Sequence, residues 1–257
     1  QNQRREQPTP NGILAKMVRG YRNSKNGLKE KKILELLSTR PDYPQRDAAL
    51  KRLAGIAMET QDWLAALRVH EILLELTPVE KGPEGMDILN NLIQLATRLS
   101  RDELLSGFLR KKALSPVPYL SDLDRYKAFS QASEMDLAQG DFKAGLQLYD
   151  NMTQINWKEE PFEKRVELHL YGAQFSAKNK DPQKALRIYQ QALVAISAND
   201  PALLSKSIAV NQAILSVLEQ NFPGEEEITT LQRIRDLYQK QNQPRNVAKT
   251  ELLLAQR

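Results

Sequence analysis

Apolar positions along this chain recur at helical spacing rather than in alternation. Leu50, Leu53 and Ala57 mark one face of a first helix, and Leu67, Leu73, Leu74 and Leu76 supply the apolar positions of a second after a short turn. The turn is marked by Asp62, whose carboxylate can accept orphan backbone N–H bonds at the positive end of the second helix. Four residues on, Ala66 lets the two helices approach closely, and Pro78 stops the second helix. The same arrangement recurs at Asp102, Asp141 and Asp181, at spacings of 40, 39 and 40 residues, with Ser106, Gly145 and Ala185 in the small position. A fixed period of this size marks a stacked array of helical repeats. Continuing the ladder predicts a further cap at Asn221 before a helix starting near Pro223, with Glu225, Glu226 and Glu227 in its first turn. Its first helix is predicted over about residues 201–219, and a last one over 244–256. Upstream, 13–22 and 28–37 form a degenerate helical pair across a turn at 23–27.

The unit around Asp62 resembles a tetratricopeptide repeat in the spacing of Leu53, Ala54, Ala57, Ala66 and Pro78. Gly140-Asp141-Phe142 through Tyr149 and Asp181-Pro182 through Leu193 match the same pattern. The second unit is poorer: Asp102, Ser106, Ala113 and Pro118 keep the register, but Asn90, Gln94 and Thr97 stand where the family has large, small and aromatic residues. The resemblance implies an all-α fold, a right-handed superhelical array of helix-turn-helix repeats, that is, an α-solenoid of eleven to thirteen helices. The expected organisation is a flexible basic tail (1–11), a degenerate helical pair (12–45), the repeat array (46–240) and a C-terminal capping helix (241–257). Proline-bearing loops at 78–85 and 114–121 account for the residues beyond the family's usual repeat length. The resemblance also implies a concave groove, lined by the first helix of each repeat, that takes a partner protein or peptide. Register places Lys51, Lys127, Gln131 and Gln174 on that groove. The family's basic clamp for a terminal carboxylate is incomplete, since Lys51 is followed by Gly55 and Lys127 by Gln131 at the decisive four-residue spacing.

Composition supports helices and narrows the chemistry. Of 257 residues 41% are hydrophobic, only 11 are glycine and 6% are aromatic, a balance that favours helix over sheet. No run of about 18 apolar residues suggests a membrane span. With no cysteine and two histidines, thiol catalysis, disulfides and cysteine-held metals are excluded. Glycine-rich phosphate loops, a zinc-protease helix and a complete calcium loop are absent from the sequence, so neither cofactor nor metal is expected and the chain reads as a non-enzymatic scaffold. His70 takes the register position of Tyr149 and Tyr189, a packing position. His169 lies on a predicted helix with Tyr171 and Gln174. Trp63 is expected to close a turn as Phe142 does, and Trp157, after a helix end, to plug a repeat interface or else to be an exposed partner contact.

Net charge is +5, but residues 1–52 hold 13 Lys/Arg against 5 Asp/Glu, so the remainder is acidic. A basic N-terminal region could sit near a membrane or meet an acidic protein; the scarcity of aromatic residues among its lysines disfavours nucleic acid. Ala66-Leu-Arg-Val-His70-Glu resembles one helix of membrane-tethered tetratricopeptide proteins that regulate lipopolysaccharide assembly, although their cysteine-rich metal knuckle has no counterpart here. That one-helix echo is background only; a cysteine-free chain fits both an envelope and a cytoplasmic protein, with a slight lean to an exported or membrane-tethered bacterial one, for which a signal or anchor before Gln1 is the expectation. The second expectation is a peptide-sensing regulator with its output domain outside this chain. The sequence carries no sign of oligomeric state.

Overall fold

A computed structural model of the chain describes residues 9–24, 26–156, 162–196 and 201–256. Among them are thirteen α-helices and no strand: α1 (Pro10–Asn23), α2 (Gly27–Ser38), α3 (Arg46–Glu59), α4 (Trp63–Leu76), α5 (Pro83–Arg98), α6 (Asp102–Leu114), α7 (Asp122–Gln139), α8 (Phe142–Met152), α9 (Phe162–Lys178), α10 (Pro182–Ala195), α11 (Pro201–Asn221), α12 (Glu225–Lys240) and α13 (Pro244–Ala255). A 3-10 turn, Val79–Lys81, precedes α5. The chain forms two compact units, Gln1–Phe108 and Leu109–Arg257. Within each unit, helices pack mainly on their neighbours in sequence, α1 through α5 in the first and α7 through α13 in the second. That nearest-neighbour packing is the arrangement of a solenoid.

One backbone device closes six helical pairs. The residue that caps the second helix donates its N–H to the carbonyl five residues back: Asn26 to Tyr21, Asp62 to Ala57, Arg101 to Ala96, Asp141 to Asp136, Asp181 to Ser176 and Gln243 to Tyr238, at 2.9–3.0 Å. This bond needs a left-handed residue just before the cap. Gln61, Ser100, Gly140, Lys180 and Asn242 hold that conformation, with φ of 57°, 51°, 77°, 62° and 54°. Asp62, Asp141 and Asp181 then accept the N–H of Ala65, Ala144 and Lys184, as the ladder predicts.

Two rungs are corrected. Asp102 is the first residue of α6 and not its cap, because the left-handed residue is Ser100 and the closing bond comes from Arg101. Counted back from Arg101, α5 presents Leu89, Leu92 and Ala96, all buried, where α3 presents Leu50, Leu53 and Ala57. Counted forward from Arg101, α6 buries Ser106, Leu109 and Ala113 where α4 buries Leu67, His70 and Leu74. Leu105 N–H bonds Arg101 O at 2.9 Å as Ala66 N–H bonds Asp62 O, so the turn has the usual length and the rung lies one residue earlier than the ladder reads it, at Arg101. Asn221 is the second correction. It is the last residue of α11, where its Nδ2 donates to Val217 O at 2.9 Å, while α12 begins after Gly224 with no side-chain cap. The next closed turn comes at Asn242-Gln243-Pro244, with a left-handed residue, cap and proline as in Lys180-Asp181-Pro182.

The small position behaves as the spacing predicts. A Cβ on Gly145 would enter the Phe175 ring, and one on Gly172 would lie 2.6 Å from the Tyr149 ring, so close helix approach depends on both glycines. In α2 the same position holds Glu30, which is only 2% exposed. Arg22 Nε at 2.9 Å and Arg52 Nε at 3.1 Å compensate its charge.

Candidate functional site

The second unit presents a polar face built from α7, α9 and α11. Tyr126 Oη on α7 donates to Glu167 Oε2 on α9 at 2.6 Å; Lys164 Nζ reaches the same oxygen at 2.9 Å, and Lys206 Nζ on α11 reaches Oε1 at 3.2 Å. Lys164 Nζ also lies 4.9 Å from the centre of the Tyr126 ring. A turn along, Tyr171 Oη is 3.1 Å from Ser130 Oγ and donates to Glu134 Oε1 at 3.1 Å. The ring of Tyr171 meets Phe129 edge-on, with centroids 5.6 Å apart. Burial works to raise the Glu167 carboxyl, but hydrogen bonds from Tyr126, Lys164 and Lys206 outweigh it and hold the group below its ordinary range. Tyr126 is pushed far up, first by burial and then by the Glu167 anion. The cluster therefore keeps a carboxylate beside a neutral phenol, and with Lys164 and Lys206 it joins three helices.

Three of the four predicted groove residues border this cluster. Lys127 and Gln131 are exposed on α7, one turn apart, and Gln174 is exposed on α9 one turn beyond Tyr171. The Glu134–Tyr171 bond brings these two stripes side by side. Lys127 Nζ lies 3.6 Å from Asp124; the Gln131 and Gln174 amides make no hydrogen bond among the described residues. Lys51 lies in the other unit. It bridges Asp47 and Glu84 at 2.6 Å each, tying α3 to α5, and both contacts raise its pKa, Asp47 first.

Sequence reasoning missed Tyr126, Glu167, Lys206 and the Ser130–Tyr171 pair. Their spacings, 41 and 39 for the first three and 41 for the pair, are the repeat period itself. Stacked first helices place residues one period apart next to each other, so the ladder carried this signal in its polar positions as well.

The histidines sit elsewhere. His70 is buried, with Nδ1 2.8 Å from Ala66 O and Nε2 3.4 Å from Asn91 Nδ2, in the packing position expected for it. His169 Nδ1 lies 2.9 Å from Tyr149 Oη, on the opposite side of α9 from Tyr171 and Gln174. Burial, then the nearby Arg165 charge, lowers its pKa. The pair borders a 430 Å³ cavity between α8 and α10 that also holds the Asp150–Lys184 ion pair. Among the described residues no three His, Asp or Glu side chains converge as metal ligands, and no helix is long and apolar enough to cross a membrane. Trp63 stacks under the Arg98 guanidinium at 4.2 Å. Trp157 lies outside the described residues.

Among its described residues the chain is thus an all-α protein built of packed helical hairpins. Neither a family model nor a curated protein matches it. Among solved structures it is similar to a tetratricopeptide repeat protein from Parabacteroides merdae, at 15% identity over 96% of this chain and 92% of that one, with a TM-score of 0.34. It is also similar to the C-terminal part of a repeat-containing protein of the same kind from Cytophaga hutchinsonii, at 12% identity over 90% and 84%, with a TM-score of 0.45. The tetratricopeptide-like repeats of a putative kinesin light chain from Podosopora anserina match at 14% identity over 90% and 95%, with a TM-score of 0.37.

Proposed function

We propose that this chain is a non-enzymatic scaffold that holds a partner protein or peptide on the α7–α9–α11 face. One observation carries the reading: the Tyr126–Glu167–Lys206 cluster fixes three first helices side by side while leaving Lys127, Gln131 and Gln174 solvated beside it. A face held rigid from beneath loses little conformational freedom when a partner docks. Exposed amides and an ammonium group next to aromatic edges suit an extended segment with both main-chain polar groups and acidic side chains.

The test is capture of partners from the native source, comparing the wild-type chain with Lys127→Glu/Gln131→Glu/Gln174→Glu. A partner lost from the triple variant but retained by Lys240→Glu supports the assignment. Equal capture by both variants, or no specific partner, refutes it. A low-mass peptide retained in the native mass spectrum would favour a peptide-sensing regulator instead.

A further inference from the structure

The outer face of α1 combines features that the proposed scaffold role does not use. At 100° per residue, Ile13, Met17 and Gly20 form one stripe opposite buried Val18. Ile13 is 46% exposed and Met17 37% exposed. Lys16 and Arg19 border the stripe on one side. On the other, Tyr21 carries Lys29 Nζ from α2, 5.6 Å from its ring centre.

Among the described residues no acidic group forms an ion pair with this face; Glu35, exposed on α2, pairs with none of its cations. α1 contains no acidic residue. Glu30 is buried between Arg22 and Arg52, Asp42 meets Asn11 on the inner side of α1, and Asp47 holds Lys51. Lys16, Arg19 and Lys32 have no acidic partner among the described residues, and all three are exposed. Exposed cations without an acidic partner thus lie on α1 and α2, where Ile13 and Met17 also meet solvent.

We propose that α1 docks flat on an anionic lipid surface. Ile13 and Met17 enter the headgroup boundary, and Lys16, Arg19 and Lys29 lie over the lipid phosphates. An apolar stripe between flanking cations, without acidic residues, is the pattern that binds the interface of an anionic bilayer without crossing it. Each cation near such a surface strengthens binding about fivefold, and salt screens the effect. An acidic protein would satisfy the cations, but a solvated acidic surface leaves Ile13 and Met17 uncovered, which favours the bilayer.

Cosedimentation of the full chain with phosphatidylcholine vesicles, with and without phosphatidylglycerol, tests this directly. Binding should require phosphatidylglycerol and fall with added salt. Lys16→Ala/Arg19→Ala should weaken it about 25-fold, and Ile13→Ser/Met17→Ser should weaken it measurably at constant charge. All four positions lie on the solvent side, so circular dichroism should show unchanged helix content. Lys240→Ala/Arg245→Ala, remote in sequence, should bind as the wild type. Equal binding to neutral vesicles, wild-type binding by either α1 variant, or binding to soluble polyglutamate but not to vesicles would overturn the proposal. The capture experiment on the α7–α9–α11 face uses different residues, so the two proposals fail independently.

Discussion

Glu30 shows how one side chain can break a repeat rule and still fit. Its counterparts at the fourth residue after the cap are Ala66, Gly145 and Ala185, and a carboxylate there needs compensation in place. The hydrogen bond from Arg52 is the main influence on it; burial opposes that, Arg22 adds to it, and the net result is a carboxyl below its ordinary value of 4.5. A lowered folded value means that the unfolded chain binds the proton more tightly, so stability increases with pH across this window. The contribution is complete above pH 4.5 and is lost as pH falls below it towards the folded value. Glu30→Gln should cost about 2 kcal/mol near neutrality, less than for a fully enclosed pair because Arg22 and Arg52 still reach water. Hydrogen exchange in α2 at pH 7 measures that loss. The difference from wild type should shrink as acid protonates Glu30, and a pH-independent difference would show that charge is not the cause.

At the scale of the helical pair, the sequence carried the fold in its caps and small residues but misplaced the rungs where backbone geometry decides. Asp62, Asp141 and Asp181 were legible because a capping carboxylate leaves a residue type at a fixed period. Arg101 and Gln243 were not, since neither side chain makes a cap bond and their position follows from a left-handed residue one step earlier. Because the cap sits at Arg101, one residue earlier than the ladder reads it, α5 looked degenerate at Asn90, Gln94 and Thr97 while burying Leu89, Leu92 and Ala96. A capping series separates the two roles. Asp141→Ala and Asp181→Ala should each cost about 1 kcal/mol. Asp102→Ala should cost no more than about 0.5 kcal/mol, because an exposed acid in the first turn contributes only through the helix dipole. Thermal unfolding of the three variants measures the contrast, and an equal loss at Asp102 would restore it as a cap.

For the molecule as a whole, packing between sequence neighbours makes stability a local property, and this also explains which parts of the candidate face were legible. Lys127, Gln131 and Gln174 were legible only as exposed positions on α7 and α9. The Tyr126–Glu167–Lys206 cluster became visible only when three helices were stacked, since its partners lie a full period apart. The same one-dimensional logic predicts how damage spreads within the second unit. Leu148 is buried in α8, which packs on α7 and α9. Leu148→Ala should remove about 2–5 kcal/mol of local stability. In an array whose interfaces join only neighbours, that loss falls mainly on α7, α8 and α9 and fades before α12 and α13. Hydrogen exchange resolved by peptide should show faster exchange in the first group and near-wild-type protection in the second. Uniform loss through α13 would instead mean that the unit unfolds as a single cooperative body, and the face on α7, α9 and α11 could then not be weakened without unfolding everything that follows it.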